Sequence, residues 1–577
     1  MDIFYDQLLT LLLFGVIVSV GVCVYLWTRK GLESAAEKEH RPAVRPGTAE
    51  APAVMTPQAD LRQLGGTAAA FLTSVPDALR RNGQAYVGLL KGAFSKRIIG
   101  SVAADMVLVA LVSLAMAYYC SAKQGGLDLY MSTFIPLLGV MLLVFWFTET
   151  MGSSRVIAFS AALLIFIGMG LQILLKLPAE DPAAASELVI YALVSVVLGL
   201  LAVPVIRLFC CELRRDQAVF ILNMLVVGVY LVLVAAGKEV NGTKAWLVIG
   251  GRSFQLTEVA KTLSCAIFAL QFTDETVRVK GEATEVRRSD RRLWNALVTL
   301  GINGVFLLWI NELGTLCVLG LVFFVLAMTY LSSVKKLIAM VLVCCILVAI
   351  VLAGCYLCYN IKNPAESAEP AETTQTVQTD SGDETGQAEE KQHGRIVNLG
   401  ARIYKKFKIR MDLMFAPETV DPYNEGYQTM RARAALLMAG WLGSAYEVSV
   451  PVVSSDFIFA YLVMKMGVLF GMLVILLVLA MLCIGTLGCL RNRIHAEASV
   501  GFAFLLAITL QSLVAAASAS GLFVMIGMPF AFLAEGGSAS VMNYVMLMYI
   551  LYVNRSRQAA SAHRVSAGKN PLQRKEG

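Results

Sequence analysis

Residues 337–358 read LIAMVLVCCILVAIVLAGCYLC, a run of 22 residues without a single charged side chain. Lys335 and Lys336 precede the run, and Lys362 follows it. A helix of about 20 apolar residues crosses a hydrocarbon core roughly 30 Å thick. Inside lipid every backbone N–H and C=O group needs an internal partner, so a run of this length must be helical. The stretch therefore predicts a transmembrane helix.

Similar apolar runs recur along the chain, which has 577 residues, of which 57% are hydrophobic and 15% charged. A soluble domain carries about 25% charged residues, so the deficit is large. Twelve further spans are predicted at 8–28, 101–119, 131–149, 155–175, 187–209, 217–236, 256–272, 293–310, 313–331, 456–484, 498–525 and 538–553. The sequence thus predicts an all-α polytopic membrane protein with thirteen transmembrane helices.

Basic residues orient these spans, because Lys and Arg collect in cytoplasmic loops. The basic clusters lie at 29–30, 96–97, 214–215, 287–292, 335–336, 491–493 and in the tail from residue 555. With thirteen spans and an outer N-terminus, every cluster falls on the cytoplasmic side. The C-terminus is then cytoplasmic. The same bias explains the net charge of +7, so no nucleic-acid partner is predicted.

The polar segments divide the chain into regions. We expect an N-terminal transmembrane anchor, retained rather than cleaved, then a largely disordered cytoplasmic linker rich in Ala, Pro and Gly. Two extra transmembrane helices precede a ten-helix core, and a basic cytoplasmic tail ends the chain. A large outer loop within the core begins with an acidic, disordered part and becomes ordered from Arg395. The bounds are 1–30, 31–95, 96–150, 151–554 and 555–577, with the loop at 359–455 and its acidic part at 361–394.

Ionisable residues beside apolar runs are candidates for function, because charge near a membrane core is costly. Glu258 and Lys261 stand one helical turn apart, which suits either a structural ion pair or a site. Asp456 follows two serines before an apolar run, so it could cap a helix or act in catalysis. The basic stretch 402–410 suits a membrane surface or a bound lipid diphosphate. Histidines and cysteines form no ligand cluster, and no metal site is predicted.

Five motifs at these positions resemble, in family order, those of the SEDS family of shape, elongation, division and sporulation proteins, which includes RodA and FtsW. They are NGTKAW at 241–246 with FQLTEVAK at 254–261, ELGT at 312–315, GYQ at 426–428, SDFIFA at 455–460, and GMP at 527–529 with EGGS at 535–538. The resemblance covers about 155–553. The three additional N-terminal spans, the linker and the acidic insert lie outside it.

The resemblance implies a ten-helix core and a peptidoglycan glycosyltransferase of the bacterial plasma membrane. Such a protein uses lipid II and works beside a class B penicillin-binding protein. It also implies that Asp456, in SDFIFA, is the essential acidic residue. Some motif positions depart from the family pattern: Glu312 replaces Asp, Leu256 and Thr257 replace Pro-Ser, Glu535 replaces an aromatic residue, and 463–465 (VMK) replaces Ala-Glu-Glu.

The chemistry of glycosyl transfer from a lipid diphosphate needs one base and several cations. A carboxylate can take the proton of the attacking hydroxyl, and cations can stabilise the leaving diphosphate. We expect Asp456 to be the base. Substrate-binding residues are predicted at Lys244, Glu258, Lys261, Arg402, Lys405, Lys406, Lys408, Arg410 and Gln428. No cofactor is required by this scheme, and assistance by a divalent cation such as Mg²⁺ stays open.

Two other functions fit the same sequence. A lipid II flippase would need essential polar residues at both membrane faces, whereas the motifs here gather on the outer side. A catalytically weak scaffold for a class B penicillin-binding protein would fit the departures at Glu312, Lys465 and Glu535. Polymerisation of purified lipid II distinguishes the three.

Overall fold

The computed structural model describes most residues between 127 and 555, with its longest gap at 364–394, together with short helical pieces before residue 127. The described residues are 80, 82–84, 86–87, 98–107, 110, 127–176, 182–240, 243–249, 252–273, 275–279, 282–286, 290–330, 334–363, 395–424, 426–444, 446, 448–492, 495–535 and 537–555. The predicted anchor 1–30, most of the linker, the acidic part of the outer loop after Asn363 and the basic tail after Arg555 lie outside the described residues, whereas residues 361 and 362 of that acidic part belong to a helix.

Helices make up nearly all of the described chain. They are α1 (Leu127–Met151), α2 (Arg155–Lys176), α3 (Pro182–Arg207), α4 (Arg215–Ala236), α5 (Thr257–Phe272), α6 (Asp290–Ile310), α7 (Leu313–Tyr330), α8 (Val334–Lys362), α9 (Arg395–Phe415), α10 (Tyr427–Met438), α11 (Ile458–Met466), α12 (Val468–Arg491), α13 (His495–Ser520) and α14 (Gly537–Val553).

The prediction of a polytopic helical membrane protein is confirmed. Within the described residues, seven helices are long and apolar enough to cross a membrane, and shorter apolar helices include Leu137–Met151, Trp294–Ile310 and Gly537–Val553. Helix α8 spans Val334–Lys362 and contains the whole run of 337–358. The predicted span 8–28 lies outside the described residues. Of the predicted span 101–119, the structure describes a helix over Ile98–Val107.

One predicted span is wrong. Residues 456–484 form two helices, α11 and α12, that meet at Gly467, whose φ of +96° breaks the helical path. The space at Gly471 is filled by side chains of Val463 and Phe459, so α11 folds back along the start of α12. Apolarity alone cannot reveal such a reversal, because both helices are hydrophobic. The helix long and apolar enough to cross the membrane is therefore α12, and Asp456 precedes the separate helix α11.

Two small antiparallel sheets occupy loops for which the sequence predicted no strands. Strands β1 (Lys238–Val240), β2 (Thr243–Ile249) and β3 (Arg252–Gln255) form the first sheet. Strands β4 (Glu275–Val279) and β5 (Glu282–Val286) form the second. The first sheet contains most of the NGTKAW and FQ motif residues, and Trp246 pairs with Gln255 across it. It leads directly into α5.

The bundle is built around α5 and α13, in which almost every side chain is buried. Helix α14 packs along α3, and α5 packs against both α4 and α7. Helix α8 is different, because apolar side chains such as Ile338, Leu342 and Ile350 are exposed along it. An exposed apolar helix surface is what lipid contact requires. Helix α9 packs on α8.

A buried ionic cluster closes the end of the bundle opposite Asp456. Glu497, at the start of α13, accepts hydrogen bonds from Arg555 (2.8 Å) and from the Tyr552 hydroxyl (3.1 Å). Arg207, at the end of α3, lies 3.7 Å from the same carboxylate. A buried charge is tolerated when it is paired and hydrogen-bonded. The cluster joins three helix ends that are far apart in sequence.

Candidate active site

Asp456 lies in the turn that precedes α11, and its carboxylate does not cap that helix. The residue before the first turn of α11 is Phe457, and no side chain bonds the free N–H groups there. The Asp456 carboxylate instead accepts a hydrogen bond from the Ser455 side chain. A Cβ atom placed on Gly527 would lie 3.0 Å from Asp456 Oδ2. The structure thus removes the capping alternative that the sequence left open.

The backbone around Asp456 is fixed from two sides. The carbonyl of Ser454 accepts hydrogen bonds from Gln172 Nε2 and from the backbone N–H of Glu535, both at 2.8 Å. On the other flank, Ser444 N donates to the carbonyl of Met464 at 2.9 Å. Helix α2, the loop before α14 and the loop after α10 therefore all contribute to the position of this turn. A site held on several rigid elements keeps its geometry.

The segment 526–529 connects the Asp456 turn to the start of α7. Gly527 lies against Asp456, while Met528 fills the space in front of Gly314. The carbonyl of Pro529 accepts a hydrogen bond from Gln511 Nε2 at 2.9 Å. Because Gly314 is two residues from Glu312, this segment brings Glu312 into the neighbourhood of Asp456.

Glu312 is a buried carboxylate in the short loop between α6 and α7. Burial raises its pKa to about 7, and the charge of Glu258 adds to the rise. The positive charges of Lys406 and Arg410 oppose this rise, whereas the negative charge of Asp456 adds to it. Glu312 therefore changes its charge near neutral pH, at the centre of a group of acidic and basic residues.

The predicted basic stretch 402–410 forms part of α9, and the helix divides its cations between two faces. Lys406 and Arg410, one turn apart, are partly buried and interact with Glu312. Burial lowers the pKa of both, and Arg410 also interacts with Asp456. Their partners do not fully compensate the burial, so an anionic ligand would be favoured there. The other three cations, Arg402, Lys405 and Lys408, are exposed.

The pKa of Asp456 is raised above its ordinary value, mainly by burial. The hydrogen bond from Ser455 and the charge of Arg410 oppose this rise. A carboxylate with a raised pKa is a better proton acceptor when it is ionised. The arrangement of one such carboxylate beside two partly buried cations suits a reaction in which a hydroxyl loses a proton and an anionic group leaves.

Glu258 and Lys261 form a buried ion pair on the first turns of α5. Lys261 Nζ donates to Glu258 Oε2 at 2.5 Å and to Gln511 Oε1 at 2.6 Å. Both side chains are shielded from solvent. Gln511 thus links Lys261 to the segment 526–529, because its Nε2 donates to the Pro529 carbonyl.

Two further predicted binding residues stand apart in their contacts. Lys244, on β2, donates to the carbonyl of Val234 at the end of α4 (2.9 Å). Gln428 lies on the first turn of α10 and is exposed. No group of three or more His, Cys, Asp or Glu side chains suited to a metal ion occurs within the part of the chain that the structure describes.

Sequence reasoning missed three contributors to the site. Glu312 was noted as an ionisable residue between two predicted spans and as the first residue of the ELGT motif, but it was not assigned a role in the site. Gln511, in the middle of an apolar helix, was an intramembrane polar residue of the same kind. Gly527 belongs to a quoted motif, but its contact with Asp456 joins positions 71 residues apart.

Fold and site together define a polytopic helical membrane protein with a cluster of acidic and basic side chains, suited to catalysis, at one end of its helical bundle. The profile of the FtsW/RodA/SpoVE family, described as cell cycle protein, matches residues 154–376 and 396–559. The matched ranges make up more than half of the chain, and the chain belongs to this family. The family match includes helices α2 to α14, apart from Arg395 at the start of α9, and every residue of the cluster around Asp456.

Individual relatives agree with this assignment. A probable peptidoglycan glycosyltransferase FtsW of Tolumonas auensis is 24% identical over 350 residues, which cover 58% of this chain and 75% of the relative. The protein of the same name from Aliivibrio salmonicida is 24% identical over 372 residues, covering 63% and 78%.

Two solved structures show similar but distant folds. One is described as "Structural coordination of polymerization and crosslinking by a peptidoglycan synthase complex"; it is 18% identical, covers 70% of this chain and 97% of its own, and has a TM-score of 0.47. The other is the rod shape determining protein RodA of Thermus thermophilus, at 17% identity, 70% and 96% coverage, and a TM-score of 0.38.

Proposed function

We propose that this protein is a peptidoglycan glycosyltransferase that polymerises lipid II on the outer face of the bacterial plasma membrane. Membership of the FtsW/RodA/SpoVE family and the names of the relatives support the activity. The observation that carries the residue assignment is the electrostatic interaction of Asp456 with Arg410, and of Glu312 with Arg410 and Lys406, across elements that are distant in sequence.

In this proposal Asp456 is the general base. Its carboxylate accepts the proton of the sugar hydroxyl while that oxygen forms a bond to the anomeric carbon of the donor. The bond from that carbon to the diphosphate oxygen breaks, and the lipid diphosphate leaves with the electron pair. A positioned base contributes about 10²–10⁴-fold to such a reaction. A diphosphate is a weak base, so its departure needs cations rather than a proton.

Arg410 and Lys406 are the proposed diphosphate contacts. Both are partly buried, and a bound anion would compensate the burial that lowers their pKa. The planar guanidinium of Arg410 suits bidentate contact with phosphate oxygens. Arg402, Lys405 and Lys408 lie on the exposed face of α9 and would attract anionic lipid at longer range. Glu258 and Lys261 keep a supporting role through Gln511.

The outward orientation of the site is part of the proposal. It rests on the distribution of basic residues, with Lys335 and Lys336 before α8 and Arg491 at the end of α12 on the cytoplasmic side. Both ends lie away from Asp456 along their helices. The N-terminus would then be outside the cell and the C-terminus inside.

We also propose a class B penicillin-binding protein as partner. The loops beside the site expose Phe415, Tyr423, Leu442 and Tyr446. Apolar side chains grouped on an exposed surface mark interaction sites. A protein that only holds such a partner would use this surface without the Asp456 cluster, so the scaffold alternative predicts no activity for the isolated chain.

The test is polymerisation of lipid II by the purified protein, alone and with the cognate penicillin-binding protein. We expect glycan strands from the wild type and at least about 10²-fold less product from Arg410→Gln, because a charge-assisted phosphate contact is lost. Lys408→Gln, on the exposed face of the same helix, is the matched control: it removes the same charge from a position that solvent screens, and it should lower activity by no more than about threefold. Equal losses in the two variants would refute the assignment of Arg410.

A further inference from the structure

Gly527 occupies a place where a side chain would meet the carboxylate of Asp456. Its φ is +65°, in the left-handed region that favours glycine. A Cβ atom built on Gly527 has Asp456 Oδ2 as its nearest neighbour at 3.0 Å, with Cγ at 3.8 Å. An ordinary van der Waals contact begins at 3.4 Å. Any side chain at 527 would therefore displace the carboxylate or the backbone.

The backbone at 527 cannot easily withdraw, because its neighbours are held. Met528 packs into the space that Gly314 leaves at the start of α7. The Pro529 carbonyl accepts a hydrogen bond from Gln511 Nε2, and Gln511 Oε1 accepts one from Lys261 in the buried core. The Asp456 carboxylate can move more easily than the backbone at 527, because Asp456 is a partly buried turn residue. A substitution at 527 would thus move the carboxylate first.

We propose that Gly527 is a positioning residue for Asp456, and that the segment 526–529 sets the distance between Asp456 and the Glu312 loop. The expected effect on catalysis rests on the proposed function, whereas the expected displacement of the Asp456 carboxylate rests only on its contact with Gly527. The absence of a side chain at 527 allows the Asp456 carboxylate to lie beside Arg410. A larger residue would turn it away from both Arg410 and Glu312.

The expected loss follows from the size of the displacement. Alanine needs a movement of a few tenths of an ångström to restore ordinary contact, and valine needs more. A misplacement of about 1 Å can cost 10²-fold in rate. We expect kcat to fall about tenfold in Gly527→Ala and about 10²-fold in Gly527→Val, with KM within about twofold of the wild type, because a base acts in the transition state.

Gly521→Ala is the matched control. Gly521 also has a positive φ, of +78°, and a Cβ there would meet the Arg433 guanidinium at 2.3 Å. The control therefore carries a similar backbone strain and a closer contact, against a long side chain, without touching Asp456. It should lose thermal stability like Gly527→Ala but keep its kcat. If both variants lose kcat equally, or if Gly527→Ala keeps full activity, the positioning role is refuted.

A second measurement does not depend on transferase activity. Water-soluble carbodiimide modifies protonated carboxyl groups, and peptide mass spectrometry would follow modification of Asp456 against pH. Moving the carboxylate away from Arg410 removes a charge that favours ionisation of Asp456. The pH at which half of Asp456 is modified should therefore rise in Gly527→Ala and stay unchanged in Gly521→Ala. Asp456 ionises before Glu312, because the charge of Asp456 contributes to the raised pKa of Glu312, so Glu312 does not oppose this rise. An unchanged midpoint in Gly527→Ala refutes the contact, whereas inactivity of the wild type refutes only the proposed function.

Discussion

Replacement of Asp456 by asparagine removes the proposed base while it keeps the shape of the side chain. The amide oxygen can still accept the hydrogen bond from Ser455, and helix α11 loses no cap because Asp456 provides none. The lost attraction to Arg410 involves a partly exposed group, so stability should change by no more than about 1 kcal/mol. Folding of the variant should therefore be close to that of the wild type.

Catalysis should respond much more strongly than stability. Asparagine cannot accept a proton, and loss of the base should lower polymerisation by at least about 10²-fold, or about 2.7 kcal/mol in the barrier. Asp456→Glu should also retain little activity, because one added methylene moves the carboxylate by more than 1 Å. The assay is gel analysis of glycan strands from purified lipid II, with thermal unfolding as the control. A fully active and normally stable Asp456→Asn variant would refute the base assignment and favour the scaffold alternative.

Three further predictions concern other parts of the molecule. The raised pKa of Glu312 means that the folded protein binds this proton more tightly than the unfolded chain does. The resulting contribution to the free energy of unfolding should be fully present below about pH 4.5 and should be lost as the pH rises through about 7. Thermal unfolding of Glu312→Gln, measured against pH, should lack this part of the wild-type pH dependence. Glu497→Gln should destabilise the protein by about 3–5 kcal/mol, because two arginines lose a buried partner, and denaturation in detergent would measure it. Deletion of 361–394 should leave polymerisation largely intact, because the entropic cost of closing a loop changes only slowly with its length; a membrane-inserted but inactive deletion would contradict this prediction.

Hydropathy and motif order were enough to establish the class of protein and the approximate positions of most spans. Apolarity is imposed by the bilayer on each segment separately, so 337–358 could be recognised without knowledge of its neighbours, and the structure extends it only to Val334–Lys362. The pairing of Glu258 with Lys261 was also visible, because an i,i+3 contact depends only on helical geometry. Motif order added the family and singled out Asp456.

Which groups come together could be learned only from the folded bundle. It separated Lys406 and Arg410 from the exposed cations of the same helix, and it joined Lys261 to Gln511 across 250 positions. It also reversed the chain at Gly467, where one hydrophobic span was expected. These outcomes depend on packing between segments that are remote in sequence, and a hydropathy pattern contains no information on the partner of a side chain. The site is therefore a property of the folded bundle, whereas the membrane class belongs to the sequence.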